Sequence, residues 1–280
     1  MKPGYVPLER ALSKLGIASR TVSRQWILDG KVKVNGVLRQ DPLFPVSPER
    51  AKIEVEDKPV AKAAHRTFLL HKPRGVVTTR SDEKGRPTVF SLIPEPGLHL
   101  IAAGRLDWAT SGLLLLTNDT RLADWLTDPR SAVCRTYLVT VRGKVTEERL
   151  ERLRRGLLDA GEKLQPEEII LRKASGKESH LTVRLTEGKN REIRRMFAAL
   201  SHEVMRLKRV AYGALELGEL GAGKFRELSR VELEGAIPGL KKLSLQVNKT
   251  SAKPVLSVSQ GRQGTQEKLR RTFSPVPRCR

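Results

Sequence analysis

Apolar positions along this chain come in short blocks whose spacing changes from one block to the next. Leu8, Leu12 and Leu15 recur at helical spacing in PLERALSKL, with Pro7 as the first helical residue and Gly16 as the stop. Ser19 is placed to cap a second helix, with Val22, Trp26 and Ile27 inward, Arg20 and Arg24 outward, and Gly30 at its end. The period then shortens to two. Lys31, Val32, Lys33 and Val34 alternate up to Asn35-Gly36, a strong hairpin signal, and a strand over residues 51–55 finishes the unit.

Further along, residues 67–70 read as a strand. Leu113, Leu114, Leu115 and Leu116 form an unbroken apolar run between turn signals, the mark of a strand buried on both faces. Residues 121–126 read as helix and 133–141 alternate as a strand. Residues 146–157 form an amphipathic helix with Leu150, Leu153 and Leu157 inward. Residues 168–173 and 180–185 are strands, and 187–197 lead a strand into a helix. Strands outnumber helices and most links are short. The expected fold is therefore α+β: a mixed, largely antiparallel sheet with flanking helices, preceded by a small α/β domain. The expected division is 1–60, a linker at 61–66, a main domain at 67–242, and a tail at 243–280. In the tail, periodicity fades and the composition cannot bury enough apolar surface to offset ordering entropy, so disorder is expected there.

Charge sharpens this picture. The 280 residues carry a formal +22, which favours a polyanionic partner, either nucleic acid or an anionic membrane surface. Residues 241–280 hold ten Lys/Arg against one acidic residue, the densest basic region of the chain. No run of 18 apolar residues exists to span a bilayer, and MKPGYVPLERAL lacks an apolar signal core, so a cytoplasmic protein is expected. Cys134 and Cys279 stand far apart and outside any CxxC pair, and the five histidines show no ligand spacing. No metal is expected.

The candidate chemistry centres on GRLDWATSGLLLLTND at residues 104–119. Asp107 follows Arg105 by two residues and sits just ahead of the buried run. A carboxylate on the rim of such a strand, beside a cation, is held rigid, which suits a nucleophile. By residue spacing alone, a structural Asp that caps a turn or pairs with Arg105 is the favoured reading.

That segment resembles the catalytic motif of the RsuA-like pseudouridine synthases, with Thr120 standing where the pattern continues with glycine in a turn. Further motifs extend the resemblance over residues 7–235: Lys72-Pro73 with Gly75, CRTYLV, EGKNREIRRMF, VMRLKRV and GELGAGKFREL. Residues 1–60 resemble the small RNA-binding module first known from a small-subunit ribosomal protein.

The resemblance implies a bent sheet whose halves flank a cleft. It implies Asp107 as the essential carboxylate, Tyr137 stacked on the target base, and Arg194 paired with Asp107 while Arg195 faces elsewhere. Arg105, Leu207 and Lys72 become candidate substrate contacts. Arg20, Arg24, Lys31 and Lys33 become candidate phosphate contacts. The loop RSDEKGRP (residues 80–87) resembles one that grips RNA in relatives; an ordinary solvated loop is the alternative. Ser201 stands where relatives have glycine. The implied activity is isomerisation of uridine to pseudouridine in a ribosomal RNA hairpin by a monomer, without a cofactor, since the reaction gains no electron or group. GRPTVFSLIP points to large-subunit RNA. The alternatives are small-subunit RNA and a catalytically silent RNA-binding protein. A glycoside hydrolase ranks last, because it needs a second, proton-donating carboxylate.

Overall fold

A computed structural model describes residues 4–60, 64–94, 98–237 and 239–241. The expected tail at 243–280, Cys279 and half of the expected linker lie outside the described residues.

At the N-terminal end, β1 (Val6–Pro7) leads into α1 (Leu8–Lys14), and α2 (Arg20–Leu28) follows. Next come β2 (Val32–Val34), β3 (Val37–Leu38), β4 (Pro45–Val46), β5 (Ile53–Val55) and β6 (Lys58–Pro59). Strand β1 pairs with β4, and the other four form a sheet in the order β3-β2-β5-β6. Pro7 occupies the N-cap of α1 and not its first turn. The Ser19 hydroxyl accepts the Val22 N–H at 3.1 Å, so the expected cap is present. Asn35 and Gly36 both take positive φ (54° and 80°), as a two-residue hairpin turn requires. Leu8, Leu12, Ile27, Val32 and Ile53 build this core. One expectation fails here. Val22 is 43% exposed, and Ser23 takes the inward position in register with Ile27. Residues four apart share a helix face, and the face that α1 covers is the Ser23–Ile27 one.

The second region is built on one large sheet. Its elements are β7 (Thr67–Lys72), β8 (Ile101–Ala102), β9 (Ser111–Thr117), α3 (Thr120–Thr127), β10 (Arg135–Arg142) and α4 (Glu147–Arg155). They continue with the hairpin β11 (Leu157–Asp159) and β12 (Glu162–Leu164), then β13 (Glu168–Ala174), β14 (Glu178–Leu185) and α5 (Glu192–Ala198). Last come β15 (Val204–Tyr212), β16 (Leu215–Glu216), β17 (Phe225–Glu227) and α6 (Arg230–Ala236). Thr120 opens α3, where a turn was expected. The Asp119 carboxylate caps the helix by accepting from the N–H groups of Arg121 and Leu122. Helix α4 stops at Gly156, with φ at +90°, so Leu157 belongs to β11 and not to the helix.

Among the described residues the sheet runs β13-β14-β10-β15-β9-β7-β17, with β16 on β15 and β8 on β9. Every pairing is antiparallel except β9 with β15, which is parallel and spans only Lys208↔Ser111 and Arg209↔Gly112. Two antiparallel halves therefore meet at a short seam. Leu113 to Leu116 are fully buried beside it, each side chain stabilising the fold by about 2 kcal/mol relative to exposure. Along β10, Tyr137, Val139 and Val141 face the main core, which α5 covers with Ile193, Met196 and Phe197. After α5 the chain turns at Ser201, whose φ of +59° is the left-handed conformation that glycine favours, and the His202 N–H closes the turn on the Phe197 carbonyl.

Candidate active site

Asp107 lies in a turn immediately before β9, and its neighbours are fastened by backbone contacts. The Thr78 hydroxyl donates to the Leu106 carbonyl at 2.9 Å and accepts the Leu106 N–H at 3.3 Å. The Gly75 N–H donates to the Trp108 carbonyl at 2.9 Å, and the Thr110 N–H donates to the Asp107 carbonyl at 3.0 Å. Lys72 closes the turn from below. Its fully buried ammonium donates to the carbonyls of Thr110 (2.8 Å) and Pro73 (3.0 Å). Burial pushes the Lys72 amine down to about 8, against the opposing pull of Asp107. Lys72 does not line the cavity described next, so the expected substrate contact is replaced by a role in supporting the turn.

Asp107 stands on the wall of a cavity of about 370 Å³ at the seam between the two half-sheets. Tyr137 from β10 and Leu207 from β15 line the same cavity, as do Arg105 and Arg194. Sequence reasoning thus named five of its lining residues. The ion pair with Arg105, the structural alternative for Asp107, is not among the pairs formed by the described residues. Among the described residues the cations within 4 Å of Asp107 are Arg191, with Nη1 3.6 Å from Oδ2, and Arg194, with Nε 3.9 Å from Oδ2. The two differ in setting: the Arg194 side chain is 14% exposed and that of Arg191 54%. Arg194 also donates to the carbonyls of Val204 (3.0 Å) and Ala109 (3.5 Å), tying the Asp107 turn to the start of β15. Burial, then the neighbouring Arg191, lowers the Arg194 pKa from its ordinary value, and Asp107 opposes that shift. Arg195 points away, as expected, and pairs with Asp159 and Glu162 on the β11–β12 hairpin.

Several other lining residues, Arg191 among them, escaped the reading of the sequence as site residues. Arg209 is buried, donates from Nε to the Leu113 carbonyl at 2.7 Å across the seam, and stacks on the Tyr212 ring. Arg135 stacks on the same ring at 5.0 Å. The Tyr212 hydroxyl donates to the Leu126 carbonyl at 2.5 Å and accepts from Arg135 at 3.1 Å. Tyr212 ends β15, whose buried positions (Val204, Leu207, Arg209 and Tyr212) do not alternate regularly, so no simple period marked it as inward. Glu192 sits in EGKNREIRRMF three residues after Lys189, the spacing at which a carboxylate reaches back to a backbone N–H. Four buried side-chain atoms without a hydrogen-bond partner belong to residues lining this cavity: Thr110 Oγ1, Glu192 Oε1, Arg194 Nε and Arg209 Nη2.

In the N-terminal region Arg20 and Arg24 are exposed on α2, as expected, and Arg24 lies 3.8 Å from Glu9. Lys31 and Lys33 are not free cations. They pair with Glu56 at 3.0 Å and Asp57 at 2.5 Å, and these partners raise both lysine pKa values. Exposed pairs of this kind are held weakly and can exchange a carboxylate for a phosphate. In the loop at residues 80–87, Asp82 accepts from the backbone and side chain of Arg86, which holds its carboxyl well below the usual range.

With the geometry in place, the likeness to known proteins is extensive. Residues 66–199 match the family described as RNA pseudouridylate synthase, and residues 6–50 match the S4 domain. An uncharacterized RNA pseudouridine synthase of Aquifex aeolicus is 38% identical over 230 residues, covering 81% of this chain and 92% of the relative. The ribosomal large subunit pseudouridine synthase B of Bacillus subtilis is 38% identical over 229 residues, covering 81% and 93%. A crystal structure of a pseudouridylate synthase superposes with a TM-score of 0.58 at 30% identity, covering 82% of this chain and 98% of that one.

Proposed function

The chain belongs to the RNA pseudouridylate synthases, and from that premise we propose that Asp107 is its reacting carboxylate and large-subunit ribosomal RNA its substrate. The observation that carries the reading is the Asp107 carboxylate on the wall of a cavity shared with Tyr137 and Leu207, with Arg194 3.9 Å away.

The chemistry follows from what the isomerisation demands. The bond from sugar carbon 1 to base nitrogen 1 breaks, the base turns, and carbon 5 takes the sugar. Carbon 5 loses a proton and nitrogen 1 gains one, so the reaction is balanced without a cofactor. The uridine first leaves its stack, at a cost of a few kcal/mol, and needs an aromatic or apolar enclosure. Tyr137 and Leu207 supply it, with Tyr137 stacked on the base and beside the departing carbon-5 proton. Asp107 attacks or stabilises the sugar carbon. Arg194, buried and anchored to two carbonyls, balances its charge without having to reorganise. Arg105 meets the substrate at the cavity wall. Arg20, Arg24, Lys31 and Lys33 follow the phosphate backbone outside it.

Arg194→Ala is expected to lower kcat about a hundredfold, and Arg195→Ala less than about tenfold, because its partners Asp159 and Glu162 lie on the far hairpin. Equal losses, measured by tritium release from carbon-5-labelled uridine RNA, would show the cationic register to be wrong.

The large-subunit assignment rests on the name of the Bacillus subtilis relative and on the GRPTVFSLIP stretch. Pseudouridine mapping across ribosomal RNA from cells lacking this gene tests it. A site missing from the large-subunit RNA and restored by the gene is expected. A loss confined to small-subunit RNA rejects the assignment.

A further inference from the structure

Arg191 brings its guanidinium to Asp107 from an unusual backbone. It stands at the N-cap of α5 with φ at +48°, a left-handed conformation that is costly for any residue with a Cβ. Something must hold it there. Glu192 bonds to Lys189 in both directions: its N–H donates to the Lys189 carbonyl at 3.3 Å, and its Oε2 accepts the Lys189 N–H at 3.1 Å. The turn containing Arg191 is thereby closed at both ends by one residue. We propose that Glu192 is a positioning residue for the reaction, locking the 189–192 turn so that Arg191 reaches Asp107.

The state of the Glu192 carboxyl fits this role. Its side chain is buried, its Oε1 has no hydrogen-bond partner, and the nearby Glu187 carboxylate disfavours its charged form. The charged groups facing Glu192 are Glu187 and Lys189, and Lys189 is itself ion-paired with Glu187. Burial is the main cause that pushes the Glu192 carboxyl up to about 7, with Glu187 adding to the shift and the Lys189 N–H opposing it. Near neutrality the uncharged form of Glu192 is therefore well populated, while its Oε2 holds the Lys189 N–H. A glutamine reproduces the uncharged form, and its carbonyl can accept from the Lys189 N–H as Oε2 does.

The inference rests on Asp107 being the reacting carboxylate, and the test separates the two. Single-turnover rates are measured on saturating hairpin RNA for Asp107→Asn, Arg191→Ala, Glu192→Ala, Glu192→Gln and the Arg191→Ala/Glu192→Ala double variant. Arg191→Ala and Glu192→Ala are each expected to slow the reaction about tenfold, the scale of releasing one left-handed residue. The double variant is expected to be no slower than either, because both changes remove the same contact. Glu192→Gln is expected to stay within about threefold of wild type. A hundredfold loss in the double variant, or a tenfold loss in Glu192→Gln, overturns the positioning role. The glutamine result decides alone if Glu192→Ala does not fold. An active Asp107→Asn variant would instead remove the function proposed above, whatever the other variants show.

Discussion

Asp107→Asn is expected to abolish pseudouridine formation while leaving fold and RNA binding intact. The asparagine amide keeps the shape of the carboxylate and loses its charge and its nucleophilic oxygen. The step that depends on it has no substitute nearby, since the other carboxyl groups on the cavity wall, Glu187 and Glu192, face each other and Lys189. Loss of a nucleophile on this scale is expected to slow turnover at least about a thousandfold. The fold should not register the change. The Asp107 side chain is partly exposed, its ion contacts are long at 3.6 and 3.9 Å, and the turn is fastened by backbone groups of its neighbours. A stability change within about 0.5 kcal/mol is expected. Tritium release from carbon-5-labelled uridine RNA, a thermal melt and a binding isotherm on one preparation provide the check. Turnover within tenfold of wild type would sink the assignment.

The second large effect concerns the seam. Gly112→Ala is expected to destabilise the protein severely, because two costs coincide at one atom. Gly112 has a φ of +112°, which a residue with a Cβ rarely adopts. A Cβ built there would lie 2.1 Å from the Arg209 carbonyl oxygen and 2.6 Å from its nitrogen. Both are backbone atoms of the strand paired with β9, so neither can swing aside, and the half-sheets must separate to admit a methyl group. A loss of at least about 3 kcal/mol, seen as a fall in Tm of about 10 °C or as insoluble protein, is expected. Gly161→Ala isolates the packing part. Gly161 also has positive φ, at +80°, but open space surrounds its Cβ position, so only the backbone cost of about 1–2 kcal/mol applies. Equal falls in Tm for the two variants would show that close approach at the seam does not matter.

Much of the architecture was legible because each element carries its own period. Leu8, Leu12 and Leu15 at helical spacing are buried together, and the Leu113–Leu116 run is a strand covered on both faces, each outcome following from repeat geometry alone. Caps were legible for the same reason: the Ser19 hydroxyl needs only the next three residues to find its donor. Val22 was misread because its helix offers two adjacent apolar faces, and the choice between them belongs to α1.

The ordered motifs of this one chain, through the resemblance they carry, determined its family and its α+β class, and singled out Asp107, Tyr137, Arg194 and Leu207, which line one cavity. Tertiary structure decided which charges meet. Arg105, two residues from Asp107, makes no ion pair with it among the described residues, while Arg191, far along the chain, lies 3.6 Å away. Lys72 was expected against substrate and is instead buried beneath the Asp107 turn. The physical reason is common to all three. Local sequence sets backbone period and capping through contacts a few residues long. Coulomb and hydrogen-bond partners are set by distance in space, which here depends on how β9 and β15 join two half-sheets and how a left-handed residue aims a guanidinium across the seam.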